Sequence, residues 1–117
     1  MNPILIIQPG NIILIDLPQS DGSYKLRPAL ILKLLPKYND FLVCGISTQL
    51  HQSIQGFDEI LDEHETYFPE TGLRKTSLIR LAFFAVVSTE KISGSIGKIQ
   101  PTMLKDLLQR LATFIVS

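Results

Sequence analysis

Through most of the chain the apolar residues come in short, dense runs cut by turn signals, a spacing that predicts strands. "NIILIDL" (11 to 17) follows Pro9-Gly10, "RPALILKLL" (27 to 35) follows an Asp21-Gly22 loop, and "DFLVCGIST" (40 to 48) follows a Pro-Lys-Tyr-Asn connection. These runs are rich in Ile, Leu and Val and too short and too interrupted for helices, so they read as an antiparallel meander. "FDEIL" (57 to 61), "TSLIRLAFFAVV" (76 to 87) and "GSIGKI" (94 to 99) supply further strands. Short strands separated by turns in this way predict a mainly β fold, a small barrel or a strongly curved sheet.

The last segment changes period. In "QPTMLKDLLQRLATFIVS", Met103, Leu104, Leu107, Leu108, Leu111, Phe114 and Ile115 recur every three or four residues, one face of an α-helix. Pro101 suits the first helical position, so the helix is expected to start near 100 or 101, its stripe facing the core or another subunit. No repeat, low-complexity tract or linker divides the 117 residues, and one domain over 1–117 is expected.

Composition fits a compact protein: 45% of residues are hydrophobic, with seven prolines and seven glycines marking the turns. The one cysteine, Cys44, lies in the apolar run "FLVCGI" and is expected to be buried, which makes the cytoplasm the default compartment. The start "MNPILII" lacks a basic region and is cut by Gln8, Pro9 and Gly10, so neither a signal peptide nor a membrane span is expected.

The zero net charge hides an asymmetry. Residues 57 to 70 hold Asp58, Glu59, Asp62, Glu63, Glu65 and Glu70 with no Lys or Arg, leaving 11 bases against five acids elsewhere. A local positive face is therefore open to the rest of the chain. The acidic stretch has no calcium-loop pattern and reads as a solvated edge. His51, His64 and Cys44 lack metal-site spacing, and no phosphate loop, dinucleotide fingerprint or nucleophile elbow is present, so no metal or cofactor is expected.

What remains is polar chemistry at strand ends. Arg27 stands where the first long loop meets the second run, and Ser47, Thr48 and Gln49 end the third. In an antiparallel pair the start of one strand lies beside the end of the next, which would bring Arg27 to the hydroxyls. A guanidinium beside hydroxyls is a phosphate site in outline, although an arginine before a proline can equally hold a loop carbonyl.

"PGNIILIDLPQSDGSYKLRPALIL", "VCGISTQL", "TGLRKTSLIRL" and "GSIGKIQPTMLKDL", in that order, resemble the PemK/MazF-like toxins of bacterial type II toxin-antitoxin systems, from about residue 9 to the C-terminus. The resemblance implies an SH3-like β-barrel with an added helix, a homodimer, and metal-independent, sequence-specific endoribonuclease activity on single-stranded RNA. It also implies a cognate antitoxin whose disordered tail folds onto the toxin, in a complex that binds DNA. Lys25, Arg27, Arg74 and Lys75 could then serve both RNA and inhibitor.

By the same resemblance Arg27 matches the family's active-site arginine in an Arg-Pro motif, and Ser47 matches the catalytic hydroxyl. Thr48 matches the position after it, Gln49 the family's glutamine, and Arg80 an arginine for which a structural role and a substrate contact are both open. Asn11 replaces the family's Asp after Gly, and the Thr-Ser order is reversed. In the implied reaction the ribose 2′-hydroxyl attacks the adjacent phosphorus, Arg27 stabilises the charge, and Ser47 or Thr48 orients the phosphate. For the base, the resemblance points to Arg27, while intrinsic pKa points to His51, two residues beyond Gln49. Loops 18 to 26 and 49 to 57 are expected to select substrate, with Tyr24 stacking on a base and Lys25 on a phosphate. Two other classes compete: a non-catalytic relative that binds a protein target, as CcdB-like gyrase inhibitors do, and an inactive antitoxin-binding module.

Overall fold

The computed structural model describes residues 7–18 and 21–117, with Leu17 and Pro18 described by backbone alone. The expectations for residues 1–6, and for Gln19 and Ser20 in the first loop, lie outside the described residues. Six strands and one α-helix follow in chain order: β1 (Asn11–Pro18), β2 (Tyr24–Leu34), β3 (Phe41–Ser47), β4 (Glu59–Leu61), β5 (Ser77–Val87), β6 (Ile92–Lys98) and α1 (Pro101–Val116). They form one curled antiparallel sheet in the order β4-β5-β3-β2-β1-β6, with the helix at its C-terminal end. The meander expected of the first three runs is present.

The central strands carry near-continuous apolar runs because both faces of the sheet are covered. Ile12, Leu30, Leu32, Cys44, Ile46, Ile79 and Leu81 point to the helix side and pack with Leu107 and Leu111 of α1. Ile13, Ile15, Ala29, Ile31, Phe41 and Val43 point the other way and are closed over by Val87, Ile92 and Ile7. Alternation with period two is therefore present, and both phases are apolar.

Pro101 is the first residue of α1, as its sequence suggests, and Gln100 makes no side-chain cap. Leu107 and Leu111 are buried and Met103, Leu104 and Leu108 pack beside them, whereas Phe114, Ile115 and Val116 are exposed. Arg110 ties this helix to β4. It donates to the carbonyls of Phe57 and Asp58, both at 3.2 Å, to Glu59 Oε1 at 3.1 Å, and to Asp106 one turn back.

A short 3-10 turn at Phe68–Thr71 seals the other end of the sheet against β6. It ends at Gly72, whose φ of 71° is left-handed, and a Cβ there would stand 2.0 Å from the Ile96 carbonyl oxygen. A Cβ on the facing Gly97 would meet the Glu70 and Thr71 carbonyl oxygens at 2.3 Å. Only glycine permits this seam.

Two differences from expectation bear on the site. β2 begins at Tyr24, three residues early, because the β1–β2 ladder continues to Pro18↔Tyr24. Tyr24 and Lys25 are thus strand residues, and Arg27 sits inside a paired strand opposite Ile15. The acidic stretch is also no simple solvated edge. Asp58 is buried, Glu59 pairs with Arg110, Asp62 accepts from the His64 amide, and Glu63 exchanges bonds with Thr76.

Candidate functional site

Register places the site residues on one face. Ala29 pairs with Gly45 and Gly45 with Arg80, so the three lie in a row across β2, β3 and β5. Arg27 and Ser47 are each two residues further along their own strands, and side chains two apart share a face. Gly45 contributes no side chain between the arginines. The result is a hollow of about 490 Å³ whose wall includes Arg27, Ser47, Thr48, Gln49, Gln52 and Arg80 over a floor of Ala29 and Val43.

No acidic residue lines this hollow, and among the described residues neither arginine pairs with a carboxylate. Arg27 is exposed and Arg80 half-buried, and two positive charges on one concave face attract an anion together. The acids of 57 to 70 do not reach it.

Hydroxyl groups complete the wall. Ser47 Oγ accepts a bond from the Gln49 amide at 3.0 Å, which fixes the side chain and leaves its O–H free to donate. Thr48 and Gln49 follow where the chain leaves β3 and are exposed. Ser77 spends its hydroxyl on the Lys75 carbonyl at 2.8 Å and is buried, so its part in the wall is structural.

Other expected residues fall elsewhere. Tyr24 is 69% exposed and lines an adjoining hollow with Asp16, Asp40 and Lys91, separated from the first by a ridge of Ile15 and Val87. Lys25, Arg74 and Lys75 are exposed and line neither hollow. His51 is exposed on a 3-10 turn (Leu50–Gln52) and does not line the hollow, whereas Gln52 does. Among the described residues no three His, Cys, Asp or Glu side chains converge as metal ligands.

Two contributors escape sequence reasoning. The β3–β5 register jumps between Cys44↔Phe84 and Gly45↔Arg80, so Leu81, Ala82 and Phe83 form a bulge in β5. Asp58 holds it: Oδ1 accepts from the Leu81 amide at 3.0 Å, and Oδ2 accepts from the Ile54 amide at 2.9 Å in the loop after Gln52. One buried carboxylate thus ties the segment after Gln52 to β5 beside Arg80. The second contributor is Phe83, which the bulge turns into the hollow. The sequence carries a trace of this, because alternation in "SLIRL" gives way to the unbroken "AFFAVV".

Cys44 is buried behind the site, and burial, with the Asp58 charge behind it, pushes its thiol up to about 12. It is a packing residue and not a nucleophile.

No curated protein matches the chain in sequence. Among solved structures the Mycobacterium tuberculosis toxin MazF-mt6 superposes with a TM-score of 0.62 at 19% identity, over 88% of this chain and 93% of that one. That likeness shows a shared fold. The family of PemK-like, MazF-like toxins of type II toxin-antitoxin systems matches residues 8–115, and the chain, with its six-stranded curled sheet and C-terminal helix, belongs to that family.

Proposed function

We propose that this toxin-family chain is a metal-independent endoribonuclease that cuts single-stranded RNA at chosen sequences: a 2′-hydroxyl attacks the neighbouring phosphorus, the bond from phosphorus to the next nucleotide's 5′-oxygen breaks, and that oxygen leaves with a proton in place of the one the 2′-hydroxyl loses. The observation that carries it is the union of Arg27, Arg80, Ser47 and Thr48 in one hollow free of acids. Phosphoryl transfer needs charge stabilisation on the non-bridging oxygens, and two guanidiniums with a preset hydroxyl supply it. Arg27 is the principal donor to the phosphorane, Ser47 orients the phosphate through its free O–H, and Gln49 and Thr48 bound the substrate. Arg80 adds the second charge. His51, outside the hollow, takes no part in the reaction.

The working unit is a homodimer in the cytoplasm, held inactive by a cognate antitoxin. Self-association is supported by the apolar surface left open at Phe114, Ile115 and Val116 and along Phe84–Val86. Among the described residues no helix is long and apolar enough to cross a membrane.

The test is incubation with varied single-stranded RNA in EDTA beside Arg27→Ala, with end mapping. Cleavage leaving 2′,3′-cyclic phosphate and falling about a hundredfold to a thousandfold in the variant is expected. Cleavage that persists in Arg27→Ala would remove the arginine from the reaction. Absence of cleavage on every RNA would leave a toxin that acts by binding a protein.

A further inference from the structure

Phe83 is 61% exposed, yet its ring is not free to wander. It lies over Gly45, where an added Cβ would meet ring carbon Cδ1 at 3.0 Å, and the Arg80 guanidinium stands 5.2 Å from the ring centroid. The bulge pinned by Asp58 fixes the backbone beneath it. An aromatic ring is thus held open to solvent on the wall that carries Arg27, Ser47 and Arg80.

Taking the ribonuclease proposal as its premise, we infer that Phe83 is a stacking platform for one nucleobase of the bound RNA strand, beside the phosphate that Arg27 and Arg80 hold. The surface is the complement of one nucleotide: a flat apolar ring next to guanidinium cations, where the nucleotide has a flat base next to an anion. Every base has a π-face, so such a platform anchors the strand without choosing its sequence and leaves discrimination to the polar rim of Gln49 and Gln52. The adjacent Arg80 serves twice, as a phosphate ligand and as a cation on the ring that limits its motion. Tyr38 provides an internal control. It is an aromatic ring 72% exposed in the turn between β2 and β3, and it lines neither hollow.

The experiment uses the full chain and a short 2′-O-methyl RNA, which lacks the attacking hydroxyl, with 2-aminopurine placed at each position in turn. Wild type is expected to quench 2-aminopurine at one position. Phe83→Ala should abolish that quench and weaken binding about tenfold to a hundredfold, the range given by losing one base stack. Phe83→Tyr should retain both, and Tyr38→Ala should match wild type. On cleavable RNA, Phe83→Ala should raise KM more than it lowers kcat, with the thermal melt unchanged.

Unchanged binding and quenching in Phe83→Ala would overturn the platform alone. So would weakened self-association in sedimentation with oligonucleotide binding intact, which would give the ring to a second copy of the chain. Failure of every single strand to bind or be cut would instead overturn the ribonuclease reading, and the platform with it.

Discussion

The two halves of β5 meet opposite fates, and the half without a polar residue is the exposed one. From Ser77 to Leu81 the strand is flanked by β3 and β4, and Leu78, Ile79 and Leu81 are fully buried. From Ala82 to Val86 it has, among the described residues, β3 alone as a neighbouring strand, and every residue is exposed. The change falls at the bulge, where the Leu81 amide leaves the ladder for Asp58. Apolar character is a core property in one half and a surface property in the other, and what divides them is a hydrogen bond from a different segment.

The comparison can be broken at its buried end first. Leu81→Ala should cost about 2–5 kcal/mol, the usual range for an emptied core position, while Val86→Ala in the monomer should cost under about 0.5 kcal/mol. Urea unfolding of the two variants measures the contrast. Equal losses would mean that the open half is covered in solution.

Next comes the pin itself. Asp58→Asn keeps one acceptor but turns an N–H₂ toward an amide that also donates, so about 1–3 kcal/mol of stability should be lost. If Asp58 positions the site as well as the fold, kcat/KM on RNA should fall further than in Thr71→Ala. That control loses the buried bonds Thr71 Oγ1 makes to the Phe68 carbonyl and the Leu73 amide, away from the hollow. Equal activity in both variants, at temperatures where both are folded, would make Asp58 purely structural.

The smallest effect concerns Cys44, on the buried side. Its thiol value of about 12 in the fold stands above its ordinary 9.0. The unfolded chain therefore gives up the proton first, and the neutral thiol's contribution, complete below pH 9, is lost as pH rises toward 12. Denaturant midpoints against pH should show this decline in wild type and less of it in Cys44→Ala. An iodoacetamide reaction at neutral pH should follow unfolding, and rapid labelling of the native protein would contradict the burial.

Most of the architecture is legible in the chain because it rests on local signals. Turn dipeptides bracket each strand, and Pro101 announces the helix. Even the meeting of Arg27 with Ser47 follows from strand order alone. What stayed hidden depends on contacts distant in sequence. Tyr24 through Leu26 join β2 because the β1 backbone continues opposite them, and nothing in their own composition demands it. Asp58 looked like one acid among six until Leu81, 23 residues on, turned it inward. Phe83 reads as core by type, and the bulge makes it surface.

The seam between Gly72 and Gly97 has a consequence for how this sequence can drift. Backbone oxygens stand where each side chain would begin, so no compensating change nearby makes room for even a methyl group. In a saturation library sorted for soluble, folded protein, these two codons should return glycine and nothing else. Gly45 meets a side-chain ring rather than backbone, and a shift of a few tenths of an ångström in that ring should let alanine through.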